Sequence, residues 1–290
     1  MTGTIMRAVA GFYYVSEDSA IDIQYECKAR GLFRKKGLTP LVGDRVTFEY
    51  DSLHQTGFVT ELLPRKNSFD RPPLANVDLL IIVMAAKDPA PSFEILDRFL
   101  LTAEQKNTDC LICVNKCDDA DPEILKQFEI YKGVYPLVYA SAKDKTGYEG
   151  LKAAAAGKKT ALAGPSGVGK SSLTNMLLKR SETEVGDISA RTKRGKNTTR
   201  HTELFKADGF FIFDTPGFTS FDPLLCEESE LDKFFPEFKG LLGQCRFDDC
   251  RHINEPECAI REALAAGKIS QRRYDSYKDL YSLIRESKRY

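Results

Sequence analysis

Hydrophobic and polar positions follow three different patterns along the chain. Residues 1 to 68 carry short runs rich in Val, Ile, Tyr and Phe, namely "AVAGFYYV", "AIDIQYECKA", "DRVTFEYD" and "TGFVTELL". Each reads as a strand, and "RGLFRKKGLTPLVGD" interrupts them with Gly and Pro. About five strands in so short a stretch predict a small antiparallel barrel. From residue 75 the pattern changes to continuous apolar runs alternating with helical spacing. "VDLLIIVMAA", "CLICVNK", "YPLVYAS", "KTALAG" and "GFFIFD" read as buried strands. Between them, "SFEILDRFLLTAEQK", "PEILKQFEIYKG", "GYEGLKAAAAG" and "KSSLTNMLLKR" read as helices. Strand and helix in alternation predict a doubly wound α/β sheet. After about residue 222 the strand signals stop. "SELDKFFPEFKGLL" and "YDSYKDLYSLIRESKRY" read as helical, with a cysteine-rich loop between them.

Length agrees with this division, since 290 residues suit two or three domains at about 150 residues each. Net charge is zero, so any polyanion partner must be met by a local basic patch. No apolar run approaches the roughly 18 residues needed to cross a membrane. "MTGTIMRAVAGFYYV" lacks the pattern of an export signal, which makes a cytoplasmic protein without a membrane partner the expectation. Of the eight cysteines, Cys27, Cys110, Cys113, Cys117 and Cys226 are scattered and read as core or neutral surface positions. The other three lie close together near the C-terminus.

Chemistry enters at "GPSGVGKSSL". Gly164-x4-Gly169-Lys170-Ser171 fits the P-loop pattern, with a strand before it and a helix after it. The loop Gly164, Pro165, Ser166, Gly167, Val168 and Gly169 would turn its N–H groups around phosphate oxygens, aided by the helix N-terminus. Lys170 would reach the β and γ phosphates, and the Ser171 hydroxyl, followed by Ser172, would ligate Mg²⁺. "VNKCD" supplies Asn115, Lys116, Cys117 and Asp118 at the C-terminal end of another strand, the edge where open α/β sheets bind ligands. A carboxylate there can accept from guanine N1–H and the 2-amino group. Adenine offers neither, and a site built on such a pair can reject the wrong base by about 10⁴-fold. Asn115 would fix loop and base, and the Lys116 stem would pack over the ring. Ser141, Ala142 and Lys143 end the next strand, where the Ala142 N–H could meet guanine O6.

"FFIFDTPGF" ends a later strand with Asp214, which can hold Mg²⁺ through water, and with Gly217, whose N–H can sense the γ-phosphate. Between the two phosphate motifs runs the basic "RTKRGKNTTRH", read as a switch in which Thr198 or Thr199 closes on Mg²⁺. The order is base, base, phosphate, switch, switch. That is a circular permutation of the usual GTPase order, which a domain with neighbouring termini tolerates.

Cys245-x4-Cys250-x-His252-x5-Cys258 supplies a Cys₃His set, the composition of a closed structural zinc site. Free thiols without a metal are the alternative. Paired disulfides fit a reducing compartment poorly. His252 is better explained as a ligand than as a general base.

The permuted order, the N-terminal barrel and the cysteine spacing together resemble one family, the ribosome small-subunit-dependent GTPase A family (RsgA, also called YjeQ or YloQ). "GFYYV", "RGLFRKKG", "LVGDRV", "NKCD", "GPSGVGKSSL", "DTPGF" and "FFPEF" carry the resemblance, which covers essentially the whole chain. It implies a multidomain α/β protein. An OB-fold β-barrel would span residues 1–68, a circularly permuted P-loop GTPase domain 69–222, and a C-terminal helical zinc-binding domain 223–290. It implies a monomeric GTPase that hydrolyses GTP to GDP in late maturation of the small (30S) ribosomal subunit. That subunit would stimulate it, and hydrolysis would be coupled to release. The alternative is a nucleotide-gated RNA- or protein-binding module acting on a non-ribosomal target.

Two positions depart from familiar catalytic patterns. Phe218 stands where Ras-like enzymes place a water-positioning Gln. Asn197 stands where much of this family has a His before the paired threonines, and His201 is a weak substitute. OB-folds bind single strands with aromatic platforms and basic grooves. The rRNA-contact candidates are Arg30, Phe33, Arg34, Lys35 and Lys36, with 16S rRNA as the expected ligand. Phe12, Tyr13, Tyr14 and Lys28 are further candidates, though the aromatics among them must also help fill the barrel.

Overall fold

The computed structural model describes residues 1–35, 37–179, 202–215, 218–219 and 226–287. The run "AVAGFYYV" forms two strands rather than one. Ala10 (φ 51°) and Gly11 (φ 84°) both take left-handed backbone, the requirement of a two-residue hairpin, and they separate β1 (Thr2–Val9) from β2 (Phe12–Glu17). β3 (Ala20–Ala29), β4 (Arg45–Asp51) and β5 (Thr56–Leu62) follow. The pairing runs β1-β2-β3-β5-β4 and returns from β4 to β1, which closes a five-stranded barrel. Ile5, Val15, Cys27, Phe48 and Val59 fill it at zero exposure, as inward alternation requires. The short helix α1 (Leu32–Lys35) interrupts the barrel between β3 and β4, and its Phe33 is buried in the same core.

A hairpin of β6 (Ser68–Asp70) and β7 (Pro73–Ala75) leads into the second layer. Here β8 (Leu79–Ala85), β9 (Asp109–Asn115), β10 (Leu137–Tyr139), β11 (Lys159–Ala163), β12 (Glu203–Lys206) and β13 (Phe211–Asp214) lie in the order β10-β9-β8-β11-β13-β12. All seven residues of β8 are buried, as a central parallel strand demands. Helices α2 (Phe93–Gln105), α3 (Pro122–Phe128), α4 (Tyr148–Ala155) and α5 (Lys170–Leu177) make the crossovers. β12 is antiparallel to β13, and its sequence, Glu203–Lys206, has charged ends and no continuous apolar run to mark a strand. It also pairs with barrel strand β1 through Arg7 and Glu203, so barrel and α/β layer share one sheet of 11 strands.

The C-terminal region corrects one expectation. "SELDKFFPEFKGLL" forms no α-helix but two 3₁₀ turns, Leu231–Phe234 and Pro236–Phe238. Pro236 lacks an N–H and its ring clashes with the preceding turn, so one continuous helix cannot pass. Helices α6 (Ala259–Ala265) and α7 (Gln271–Ser287) complete the region around Phe235, Phe238, Ile260 and Tyr277. It is joined to α2 by a buried ion network. Arg273 holds Glu237 through Nε at 2.6 Å and Asp97 at 2.5 Å, and Tyr131 donates to the same Asp97 oxygen at 2.8 Å. Burial opposes the Arg273 charge. Asp97 and Glu237 more than offset this and raise its pKa.

Candidate nucleotide site and metal cluster

β8, β9, β11 and the parallel β13 all end at one edge of the sheet, and the loops that leave them meet there. After β11 the chain turns through Gly164 (φ 144°) and Gly169 (φ 96°), and α5 begins at Lys170. Both glycines are dictated by contact as well as by backbone angle. A Cβ on Gly164 would lie 2.1 Å from Val83 O, and one on Gly169 would lie 2.3 Å from Asn115 Nδ2. The second contact joins the two motifs that stand far apart in sequence. Buried Asn115 donates from Nδ2 to Val168 O at 2.8 Å. Lys116, in left-handed backbone (φ 64°), donates from Nζ to Gly167 O at 2.8 Å and also to Asp88 O. The loop 115–118 is thus hydrogen-bonded to the loop 164–169.

Two cavities adjoin at this seam. One, of about 660 Å³, is lined by Lys116, Asp118, Ser141, Ala142 and Lys143. The other, of about 360 Å³, is lined by Ser166, Lys170, Ser171, Asp214 and Thr215. Gly169 and Ser172 line both. In the first, Ser141 Oγ donates to Asp118 Oδ1 at 2.9 Å, and the Lys143 ammonium lies 3.4 Å from Oδ2. The Ser141 hydrogen bond, with help from Lys143, holds the Asp118 carboxyl below the usual carboxylate range. Asp118 is therefore an ionised acceptor at neutral pH. Cys117 faces inward, its thiol 3.0 Å from Val114 O, and burial raises its pKa. In the second cavity, Lys170 folds back onto Gly164 O and Pro165 O, each at 2.7 Å. Burial lowers its pKa, so the ammonium gains more from an anionic partner than an exposed lysine would.

Asp214 ends β13 opposite Glu203. Phe218, which follows "DTPG" in the sequence, is fully buried and sits edge-on to Phe69 of β6, ring centroids 5.6 Å apart. Its carbonyl accepts from Gly164 N at 3.0 Å, which ties this loop to the first glycine of the phosphate loop. Gly217 and the switch residues Asn197, Thr198, Thr199 and His201 lie outside the described residues.

Cys245, Cys250, His252 and Cys258 come together with their ligand atoms within 4.8 Å of one another. His252 Nδ1 lies 3.5, 3.4 and 3.4 Å from the three sulfurs, and Cys245 Sγ lies 3.9 Å from Cys258 Sγ. Tetrahedral zinc with ordinary Zn–S and Zn–N bonds requires separations of about 3.6 Å for N···S and about 3.8 Å for S···S. The set fits zinc on geometry as well as on composition. Burial pushes the Cys250 thiol up to about 12, so a cation is what would make it a thiolate at neutral pH. The loop is braced from outside, with Tyr274 donating to His252 O at 2.6 Å and Tyr277 to Arg251 O at 2.9 Å.

The basic turn of the barrel is divided. Phe33 is a correction: at 6% exposure it is core, and cannot offer a face for base stacking. Arg30 is exposed and paired with Glu49 at 2.6 Å, and Lys35 is exposed. Arg34 lies on α1, and Lys36 lies outside the described residues. Sequence reasoning missed Phe58, 43% exposed on the outer barrel face beside Lys28. It also missed Asp232, which approaches His252 from 20 residues away with no motif to announce it.

Counting strands from β11 and wrapping from β13 back to β8 gives the spatial order 2-3-1-4-5-6, the sheet of a P-loop GTPase. With the phosphate loop central and the base loop bonded to it from earlier in the chain, the molecule is a circularly permuted GTPase. The chain belongs to the RsgA family. The RsgA GTPase family model matches residues 62–224, and the RsgA N-terminal domain model matches residues 2–59. Small ribosomal subunit biogenesis GTPase RsgA of Agathobacter rectalis is 42% identical, covering 100% of both chains. Its namesake from Geobacillus kaustophilus is 41% identical over 99% of this chain and 98% of that protein. Among solved structures, YjeQ from Thermotoga maritima superposes with a TM-score of 0.82 at 35% identity, covering 98% of each chain. YloQ, described as a circularly permuted GTPase, gives 0.83 at 33% identity over 99% of this chain and 95% of that one.

Proposed function

We propose that this GTPase acts in late maturation of the small ribosomal subunit, is stimulated by that subunit, and leaves it when GTP is hydrolysed. The observation that carries the nucleotide half is the pair of hydrogen bonds from Asn115 and Lys116 to the phosphate loop, beside two cavities that share Gly169 and Ser172. The ribosomal half rests on the names of relatives that are alike over the full chain.

In this reading Asp118 accepts from the guanine edge, Ser141 and Lys143 hold its carboxylate in place, and the Ala142 N–H meets O6. The phosphate loop and Lys170 cradle the phosphates. Ser171 and Asp214, with Thr198 or Thr199, would hold the Mg²⁺ that accompanies GTP, which would supply charge neutralisation at the phosphates. Gly217 N–H senses the γ-phosphate. Phe218 is spent on core packing, so water positioning falls to the switch, with Asn197 or His201 as candidates. Intrinsic turnover is therefore slow, and the ribosomal partner completes the site. Cys245, Cys250, His252 and Cys258 hold a structural zinc ion, which fixes the C-terminal region. The barrel, with Arg30, Arg34, Lys35 and Lys36 on its basic turn, meets 16S rRNA. The protein works as a cytoplasmic monomer of three parts, 1–68, 69–222 and 223–290.

Single-turnover GTP hydrolysis with and without purified small subunits tests this reading. Stimulation by the small subunit and not by the large one is expected. An unchanged rate would favour a nucleotide-gated module with another target.

A further inference from the structure

His252 presents its two ring nitrogens to different neighbourhoods. Nδ1 faces the three cysteine sulfurs, and Nε2 faces Asp232 Oδ2 at 3.3 Å. A metal on Nδ1 requires the neutral ring, whose proton must then sit on Nε2. The atom in position to accept that proton's hydrogen bond is Asp232 Oδ2. The other oxygen of the carboxylate, Oδ1, is buried and has no hydrogen-bond partner among the described residues. Phe238 and Tyr277 confine the imidazole with centroids at 6.2 and 6.3 Å. Such ring contacts limit where the imidazole can lie, but they do not choose which nitrogen carries the proton.

We propose that Asp232 is the positioning residue of the metal site. It holds His252 in the Nε2–H tautomer, aims Nδ1 at the metal, and makes that nitrogen a better donor. Outer partners of this kind typically contribute 10- to 100-fold in metal affinity. Asp232 comes from the 3₁₀ turn Leu231–Phe234, outside the loop 245–258 that supplies the ligands. It therefore also ties the metal loop to the stretch of chain that follows the γ-phosphate loop. The inference rests on the zinc reading above.

The test uses the full chain loaded with zinc. Metal is counted per chain, and affinity is taken from competition with a chelator of known strength, for wild type, Asp232→Ala and Asp232→Asn. Wild type should hold about one equivalent, and Asp232→Ala should bind about 10- to 100-fold more weakly. Asp232→Asn keeps a carbonyl acceptor in nearly the same shape and should lose less. Unfolding of the metal-free proteins should be alike, because the contact matters only once the metal fixes the tautomer. Asp232→Ala binding zinc within about twofold of wild type would overturn the proposal. So would a metal-free Asp232→Ala chain destabilised as much as the loaded one, which would mark a packing role. Wild type that takes up no zinc would overturn the zinc reading itself, a result separable from the other two.

Discussion

At the scale of single residues, the nucleotide cleft is built by contacts that leave little freedom. Gly169 serves three ends at once: left-handed backbone, the start of α5, and room for the Asn115 amide that bonds Val168 O. Replacing it with Ala puts a methyl 2.3 Å from Asn115 Nδ2 in a backbone region that L-residues rarely adopt. Gly169→Ala should therefore weaken GTP and GDP alike by at least about tenfold, the equivalent of roughly 1.4 kcal/mol. Titration with a fluorescent guanine nucleotide measures this, and near-normal binding would mean that the two loops are not coupled as described. Both motifs were legible in the sequence, because P-loop and base-reading chemistry need fixed residue types at fixed spacing. Phe33 was not. A lone aromatic in a basic turn looks the same whether it faces solvent or fills a barrel, and only the placement of α1 decides it.

At the scale of elements, the β6–β7 hairpin is the joint between the barrel and the switch side of the GTPase layer. Phe69 of β6 is 2% exposed and meets the fully buried Phe218 edge-on. Truncating a buried Phe typically costs about 3–5 kcal/mol, so Phe69→Ala should lower stability by that order in urea unfolding. A loss under about 1 kcal/mol would show that the ring is not core. Neither Phe69 nor its hairpin lines the nucleotide cavities, so guanine affinity in the folded variant should hold. The long buried strands β8 and β9 and the amphipathic α2 were readable from periodicity. β12 was not, since Glu203–Lys206 begins and ends on a charged residue and lacks the continuous apolar run that marks the equally short β13. The helical reading of residues 229–242 failed because its apolar spacing was real while Pro236 forbade the helix.

At the scale of the whole molecule, one sheet of 11 strands runs from the base-reading edge through the phosphate loop and into the barrel. Asp214, Glu203 and Arg7 stand on neighbouring strands along it, so the Asp214 end of β13 and the barrel are two strands apart. The sequence order predicted a permuted GTPase with flanking domains, but no local pattern announces that β12 pairs with β1 or that Arg273 reaches Asp97. Such contacts join segments far apart in sequence. The central claim is that a chain cut and rejoined still brings residues 115–118 and 164–171 to one nucleotide. Affinity for GTP and for XTP, measured on wild type and Asp118→Asn, tests it most directly. The amide replaces an acceptor with a donor, which suits the 2-oxo group of xanthine. The account predicts that Asp118→Asn loses GTP by about 100-fold or more and gains XTP, since an unpaired polar group in a desolvated site is heavily penalised. Unchanged preference for GTP in Asp118→Asn would contradict it.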